Sequence, residues 1–293
     1  MKIDRMVLAD IGNTIALAKE VLRQNPDLTP PIPIFDLAIA AGITEIRQEP
    51  LVGMEGALIT DDDKQDGVIL VNSRSFPPRR RFSVGHELGH FLNNWHKPPA
   101  GGFKCSSADM AAAGSGTGRW QMEVEANQFS AEIMMPEKVF RADLKRTPSP
   151  GLEHVVELAE NRYETSKLAT ARRVVDLLDD PTALISSKDG VVEHIHRKNI
   201  FPFIFLNKGD AIHRKSNTAT FAGNADGCSN SHPTNTAHWT NSSLKRGAEM
   251  YEQVLIQGNG YRLTLLTIDE SECDDDDEEY ERERSDWNPR FGR

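Results

Sequence analysis

The residues His86-Glu87-Leu88-Gly89-His90 form an H-E-x-x-H pattern. On a helix, positions i and i+4 share a face, so both imidazoles can converge on one Zn²⁺ at ~2.0–2.1 Å, with Glu87 within reach of a water on the ion. Zinc lowers the pKa of such a water to about 7, and a carboxylate beside it can take the proton as the water attacks a peptide carbonyl. A catalytic zinc needs a third protein ligand and an open fourth position. No third histidine follows in the H-x-x-G-x-x-H spacing, and His96 lies too close to the same helix to swing back easily. The next helical segment offers Glu123 and Glu125. Glu123 shares a face with Asn127, one turn on, which places Asn127 behind the ligands as an orienting group. Glu125 points roughly 160–200° away and reads as solvent-facing or salt-bridged. An ordinary charged helix face remains the alternative for both glutamates. Cys105 falls in a Gly-rich loop between the two helices, where a thiolate tethered near the zinc would block water activation. The alternative for Cys105 is a free cysteine packed under a loop.

The elements that must position these groups follow from apolar spacing and turn residues. Residues 1–28 read as a helix, with Met6, Ile11, Ile15, Ala18 and Val21 at helical spacing, and IPIFDLAIAAGI as a second one ending near Gly42. TEIRQEP, GALIT and GVILVN read as strands, with DDDKQDG a solvated loop between the last two. RFSVGHELGHFLNNW and WQMEVEANQFSAEIMM read as helices, separated by a loop over 97–118. The stretch 152–178 suggests two helices joined near Glu164-Thr165-Ser166, reminiscent of a helix-turn-helix, but its acids outnumber its bases, which favours packing onto the core over reading DNA. From about residue 181, VVEHIHR, FPFIFLN, YEQVLIQG and YRLTLLTID read as strands between Gly/Asn/Ser/Thr-rich loops. The expectation is therefore an α+β chain: a helical domain with a small sheet over 1–180, a β-rich domain over 181–268 and an acidic tail over 269–293.

The formal charge is -10 over 293 residues, and residues 269–286 alone, with twelve acids and two bases, account for it. The acidity therefore does not exclude nucleic acid as a partner of the rest. Residues 181–268 hold nine bases and six acids, with Phe201, Phe203, Phe205, Trp239 and Tyr261 available for stacking on single-stranded nucleic acid. His194-x-His196 can bind metal or lie on a solvent face. The absence of a twenty-residue apolar run argues against a membrane span, and the N-terminus shows no secretory h-region. Three well-separated cysteines, Cys105, Cys228 and Cys273, with no CxxC pair, argue for a cytoplasmic location and against a second zinc site.

RRRFSVGHELGHFL followed by EVEANQFSAEIMMP, preceded by IPIFDLAIAAGI, resembles the ImmA/IrrE family of bacterial metallopeptidases over roughly residues 30–180. The resemblance implies a zincin-like domain followed by a β-rich, GAF-like sensor domain. It places zinc on His86, His90 and Glu123, and the catalytic carboxylate on Glu87. It implies cleavage of a helix-turn-helix repressor that governs DNA-damage, mobile-element or anti-phage genes. It further implies a cysteine switch at Cys105 in some members and activation by a signal such as single-stranded DNA. The alternative is a DNA-responsive regulator that binds its repressor without cutting it, its motif holding a structural metal.

Overall fold

The computed structural model describes residues 1–99, 102–106 and 118–270. Contacts divide the chain into two units, Met1–Pro150 with His154–Val174, and Gly151–Glu153 with the chain from Val175 onward. No described helix is long and apolar enough to cross a membrane. The acidic segment from residue 271 on, with Cys273, lies outside the described residues.

In the first unit, the single helix expected over 1–28 is instead two, α1 (Arg5–Leu8) and α2 (Thr14–Arg23). Asp4 accepts a hydrogen bond from the Met6 N–H and Asn13 from the Ala16 N–H, so each starts its own helix. A side-chain oxygen that satisfies a first-turn N–H favours initiation at that point. α3 (Ile34–Ala40) precedes a four-stranded sheet of β1 (Ile43–Glu49), β2 (Gly56–Thr60), β3 (Gly67–Asn72) and β4 (Phe103–Cys105). The sheet order is β1-β3-β2-β4, with β1 parallel to β3 and the other pairs antiparallel.

β4 lies inside the stretch expected to be loop throughout. Gly102 explains how it forms: at φ +83°, a Cβ there would stand 2.2 Å from the Leu58 carbonyl oxygen, so only glycine lets the chain join β2 so closely. Phe103 and Cys105 then point inward and Lys104 outward, the two-residue alternation of a strand.

α4 (Pro77–Leu92) begins with two prolines in its first turn, where a missing N–H costs nothing. Every residue from Ser83 to Leu92 is buried. The helix packs against α3, β2, β3 and the following helix α5 (Arg119–Met134), with Val84, Leu88 and Phe91 in one core with Leu58, Ile69 and Val71. Its C-terminal carbonyls are capped by an unexpected group. Lys64, from the turn read as a solvated loop, is buried, and its Nζ donates to the carbonyls of His90 (2.5 Å) and Asn93 (2.8 Å). An ammonium at a helix C-terminus is favoured by the orphan carbonyls and the helix dipole, and because burial pushes the Lys64 pKa down to about 7 the cap is fully charged only below that pH. Lys64→Met is expected to lower the unfolding free energy by about 1–2 kcal/mol, measured by denaturant unfolding of the metal-free protein; an unchanged midpoint would show that the cap contributes nothing.

α6 (Glu137–Leu144), α7 (Leu152–Glu157), a π-helical turn (Leu158–Tyr163) and α8 (Lys167–Leu177) complete the helical part. Val155, Ala159, Tyr163, Ala171 and Val174 are fully buried. Two basic side chains of the stretch 152–178 have partners within the unit: Lys167 pairs with Glu160 at 2.9 Å, and Arg173 pairs with Glu132 and donates to the Met135 carbonyl.

The second unit is β-rich, with a fully antiparallel sheet in the order β6-β5-β9-β8-β7. Its strands are β5 (Thr182–Lys188), β6 (Val191–Arg197), β7 (His232–Pro233), β8 (Glu249–Ile256) and β9 (Tyr261–Asp269), with a short helix α9 (Asn217–Thr220) between β6 and β7. Strands β6, β8 and β9 overlap the segments read as strands. β5, buried on both faces from Thr182 to Ser187, falls outside them. FPFIFLN, read as a strand, forms an isolated bridge among the described residues, Ile204 to Thr240, with Phe201 buried and Phe203 64 % exposed. On β8, Glu252 is fully buried and accepts from Thr218 N (2.5 Å), Thr218 Oγ1 (2.6 Å), Thr234 Oγ1 (2.6 Å) and Trp239 Nε1 (3.3 Å). Such multiple satisfaction is what a buried carboxylate requires.

Candidate metal centre

Three elements meet over the C-terminal half of α4. The helix carries His86, Glu87 and His90, all with no exposed surface. α5 crosses α4 closely because two glycines remove side chains from the contact. A Cβ on Gly85 would stand 2.5 Å from Ser130 Oγ, and one on Gly89 would stand 3.1 Å from Phe129 Cβ. This approach brings Glu123 of α5 to the histidines, with its Oε2 3.1 Å from His86 Nε2 and 3.5 Å from His90 Nε2. The two Nε2 atoms are 3.1 Å apart. β4 closes the third side and places Cys105 Sγ 3.9 Å from His90 Nε2. Cys105 is thus held by strand pairing, not carried on the flexible tether its Gly-rich surroundings suggested.

One donor atom from each of His86, His90, Cys105 and Glu123 lies within 4.8 Å of all the others, and all four residues are buried. A zinc ion with bonds of ~2.0–2.1 Å holds tetrahedral nitrogen and oxygen ligands roughly 3.3 Å apart, and a thiolate somewhat farther. The observed separations fit that spacing, and the mixture of two imidazoles, a carboxylate and a thiol is a zinc-type donor set. Among the described residues, His194-x-His196 joins no such group; His196 instead bonds Asp176 at 2.7 Å.

Electrostatics point the same way. Burial, with smaller contributions from His86 and His96, pushes the His90 pKa down to about 3 despite its contact with Glu123, so the ring is neutral with a lone pair to offer. Burial raises the carboxyl of Glu123, but its contacts with His86 and His90 more than offset this and keep it below the usual carboxylate range. Burial, then the charges of Glu87 and Glu123, push the Cys105 thiol far above its ordinary range. A bound dication reverses that balance, because a coordinating thiol loses its proton.

Behind the donors, Asn127 Oδ1 sits 3.0 Å from His86 Nδ1, one helical turn from Glu123. Accepting the Nδ1 proton there leaves the His86 Nε2 lone pair facing the other donors. Two further contacts were not anticipated. The Phe103 ring stacks on His90, centroids 4.2 Å apart at 19°. His96, set aside as a ligand, is buried against His90, and Glu125 turns back to meet it. Only its helical phase relative to Glu123 was available from the sequence, and that phase says nothing of a loop folding onto the back of α4.

Residues 41–175 match the family model described as the IrrE N-terminal-like domain, Peptidase_M78. No curated protein matches the chain. Among solved structures, a Mycobacterium tuberculosis transcriptional regulator superposes with a TM-score of 0.55 at 11 % identity, covering 89 % of this chain and 89 % of that one, a likeness of fold.

Proposed function

We propose, from the premise that this chain belongs to the ImmA/IrrE family through residues 41–175, that it is a zinc-dependent endopeptidase cutting a helix-turn-helix repressor. The observation that carries the reading is the convergence of His86 Nε2, His90 Nε2 and Glu123 Oε2 around one point, with Glu87 buried beside them on the same helix. In this reading His86, His90 and Glu123 hold the ion. When bound, zinc supplies Lewis acidity, polarising the scissile carbonyl and easing deprotonation of the attacking water. Glu87 takes that proton on a carboxylate oxygen and returns it to the leaving amine. Asn127 keeps the His86 ring in its ligating tautomer.

Cys105 is the candidate fourth ligand and the brake. Its strand-held thiol would take the fourth position on an ion held by the other three donors, and expulsion of the thiol would open that position. Cys105→Ser is accordingly expected to raise basal cleavage of the repressor several-fold without any activating signal, read as clipped product on co-expression. Unchanged basal cleavage sinks the switch.

The second unit serves as the sensor, and single-stranded DNA is the candidate signal. Support comes from the excess of bases over 181–268 and from exposed Phe203, over whose ring the Arg197 guanidinium lies at 5.8 Å. Co-expression with the repressor-like gene beside its own, with and without single-stranded DNA, tests substrate and signal together; an intact repressor under every condition rejects the reading.

One observation favours the second reading, a regulator that binds without cutting. Four protein donors close a site, as structural zinc sites do. Glu87 discriminates between the two, because a structural site has no use for its carboxylate.

A further inference from the structure

His90 and His86 are held from behind in different ways. The Nδ1 of His86 meets a neutral amide, whereas the Nδ1 of His90 lies 3.0 Å from His96 Nδ1, and His96 Nε2 lies 2.8 Å from Glu125 Oε2. His96 is 1 % exposed, so water does not compete for its ring nitrogens. Each imidazole of this chain, when neutral, carries one proton, and the two contacts share them. A carboxylate can only accept, so His96 must present Nε2–H to Glu125. Its Nδ1 is then bare and must accept from His90, which puts the His90 proton on Nδ1 and leaves the His90 Nε2 lone pair facing Glu123 and His86.

Asn93 supplies the opposing pull. Its Oδ1 accepts from the Trp95 N–H at 3.0 Å, which fixes the amide so that Nδ2 faces His96 Nε2 at 3.1 Å. Without Glu125, that Nδ2–H donates to His96 Nε2 and the His96 proton moves to Nδ1. His90 Nδ1 must then accept, and its own proton moves to Nε2, where it occupies the coordinating lone pair.

We propose that Glu125 and His96 are positioning residues that act in series to hold His90 in its metal-ligating tautomer, a carboxylate-imidazole-imidazole relay ending at the metal centre. The inference rests on the reading of His86, His90 and Glu123 as metal ligands. It extends the familiar single carboxylate behind a ligating histidine by one ring. The relay makes His90, rather than His86, the ligand whose donor strength depends on a distant charge. Glu125 thereby acquires a role although it lies on the opposite side of α5 from Glu123.

The test has two readouts on the full chain. In Zn²⁺-loaded, ¹⁵N-labelled protein, a scalar coupling across the hydrogen bond from His90 Nδ1–H to His96 Nδ1 is expected in the wild type and is lost in Glu125→Ala. Titration with Zn²⁺ alone, against a competing chelator, is expected to show affinity reduced by about 10–100-fold in Glu125→Ala. The double variant Glu125→Ala/Asn93→Asp puts an acceptor oxygen where the amide nitrogen pointed, and is expected to recover most of the loss. A role limited to packing predicts no such rescue. Wild-type protein that binds Zn²⁺ with the same affinity as Glu125→Ala, or a His90–His96 coupling that persists in Glu125→Ala, overturns the relay alone. Wild-type protein that binds no Zn²⁺ overturns the reading of the ligands, and the relay with it.

Discussion

Glu87→Gln is expected to bind Zn²⁺ as tightly as the wild type and to lose at least about 10²–10⁴-fold in cleavage rate, the usual contribution of a general base. The substitution keeps the shape of the side chain and removes only its ability to take a proton. The donor cluster of His86, His90, Cys105 and Glu123 does not include it, so the metal should stay. Single-turnover cleavage assays and a metal titration on the same preparation decide the matter. Full cleavage by Glu87→Gln removes Glu87 from the chemistry, and full repression control without cleavage establishes the regulator reading.

The second large effect concerns spacing rather than chemistry. Gly89→Val is expected to destabilise the first unit by about 1–3 kcal/mol through overpacking and to weaken Zn²⁺ binding markedly at the same time. A Cβ at this position already meets Phe129 Cβ and Cδ1 at 3.1 Å, and two further methyls have no free volume to enter. The strain is relieved most readily by moving α5 away from α4. Glu123 rides on α5 while His86 and His90 ride on α4, so a shift of even ~1 Å degrades a metal site whose ligand distances must hold within about 0.2 Å. Chemical denaturation and a chelator competition measure the two consequences separately. Stability lost with affinity intact would mean that α5 does not need this close approach to place its carboxylate.

What the sequence could determine about this protein was local. Two histidines four residues apart on an apolar helix share a face whatever surrounds them, so the convergence of His86 and His90 was legible from their spacing. The helical phase of Glu123 with Asn127 was legible for the same reason, and strands β2 and β3 as short apolar runs bounded by turn residues. The α+β class followed from the succession of those patterns.

The rest depended on contacts between distant segments, which leave no periodic trace. Lys64 sits in an acidic turn that reads as solvated, and only the fold carries it to the end of α4. Cys105 was expected on a tether, but Gly102 and the edge of β2 turn that stretch into a strand. The phase of Glu125 on α5 leaves it solvent-facing or salt-bridged, and the structure pairs it with His96. Its partner arrives from the other side, because the residues after α4 fold back and bury His96 against His90. Helical phase gives the direction of a side chain relative to its own helix; what lies in that direction is decided by how the other segments pack.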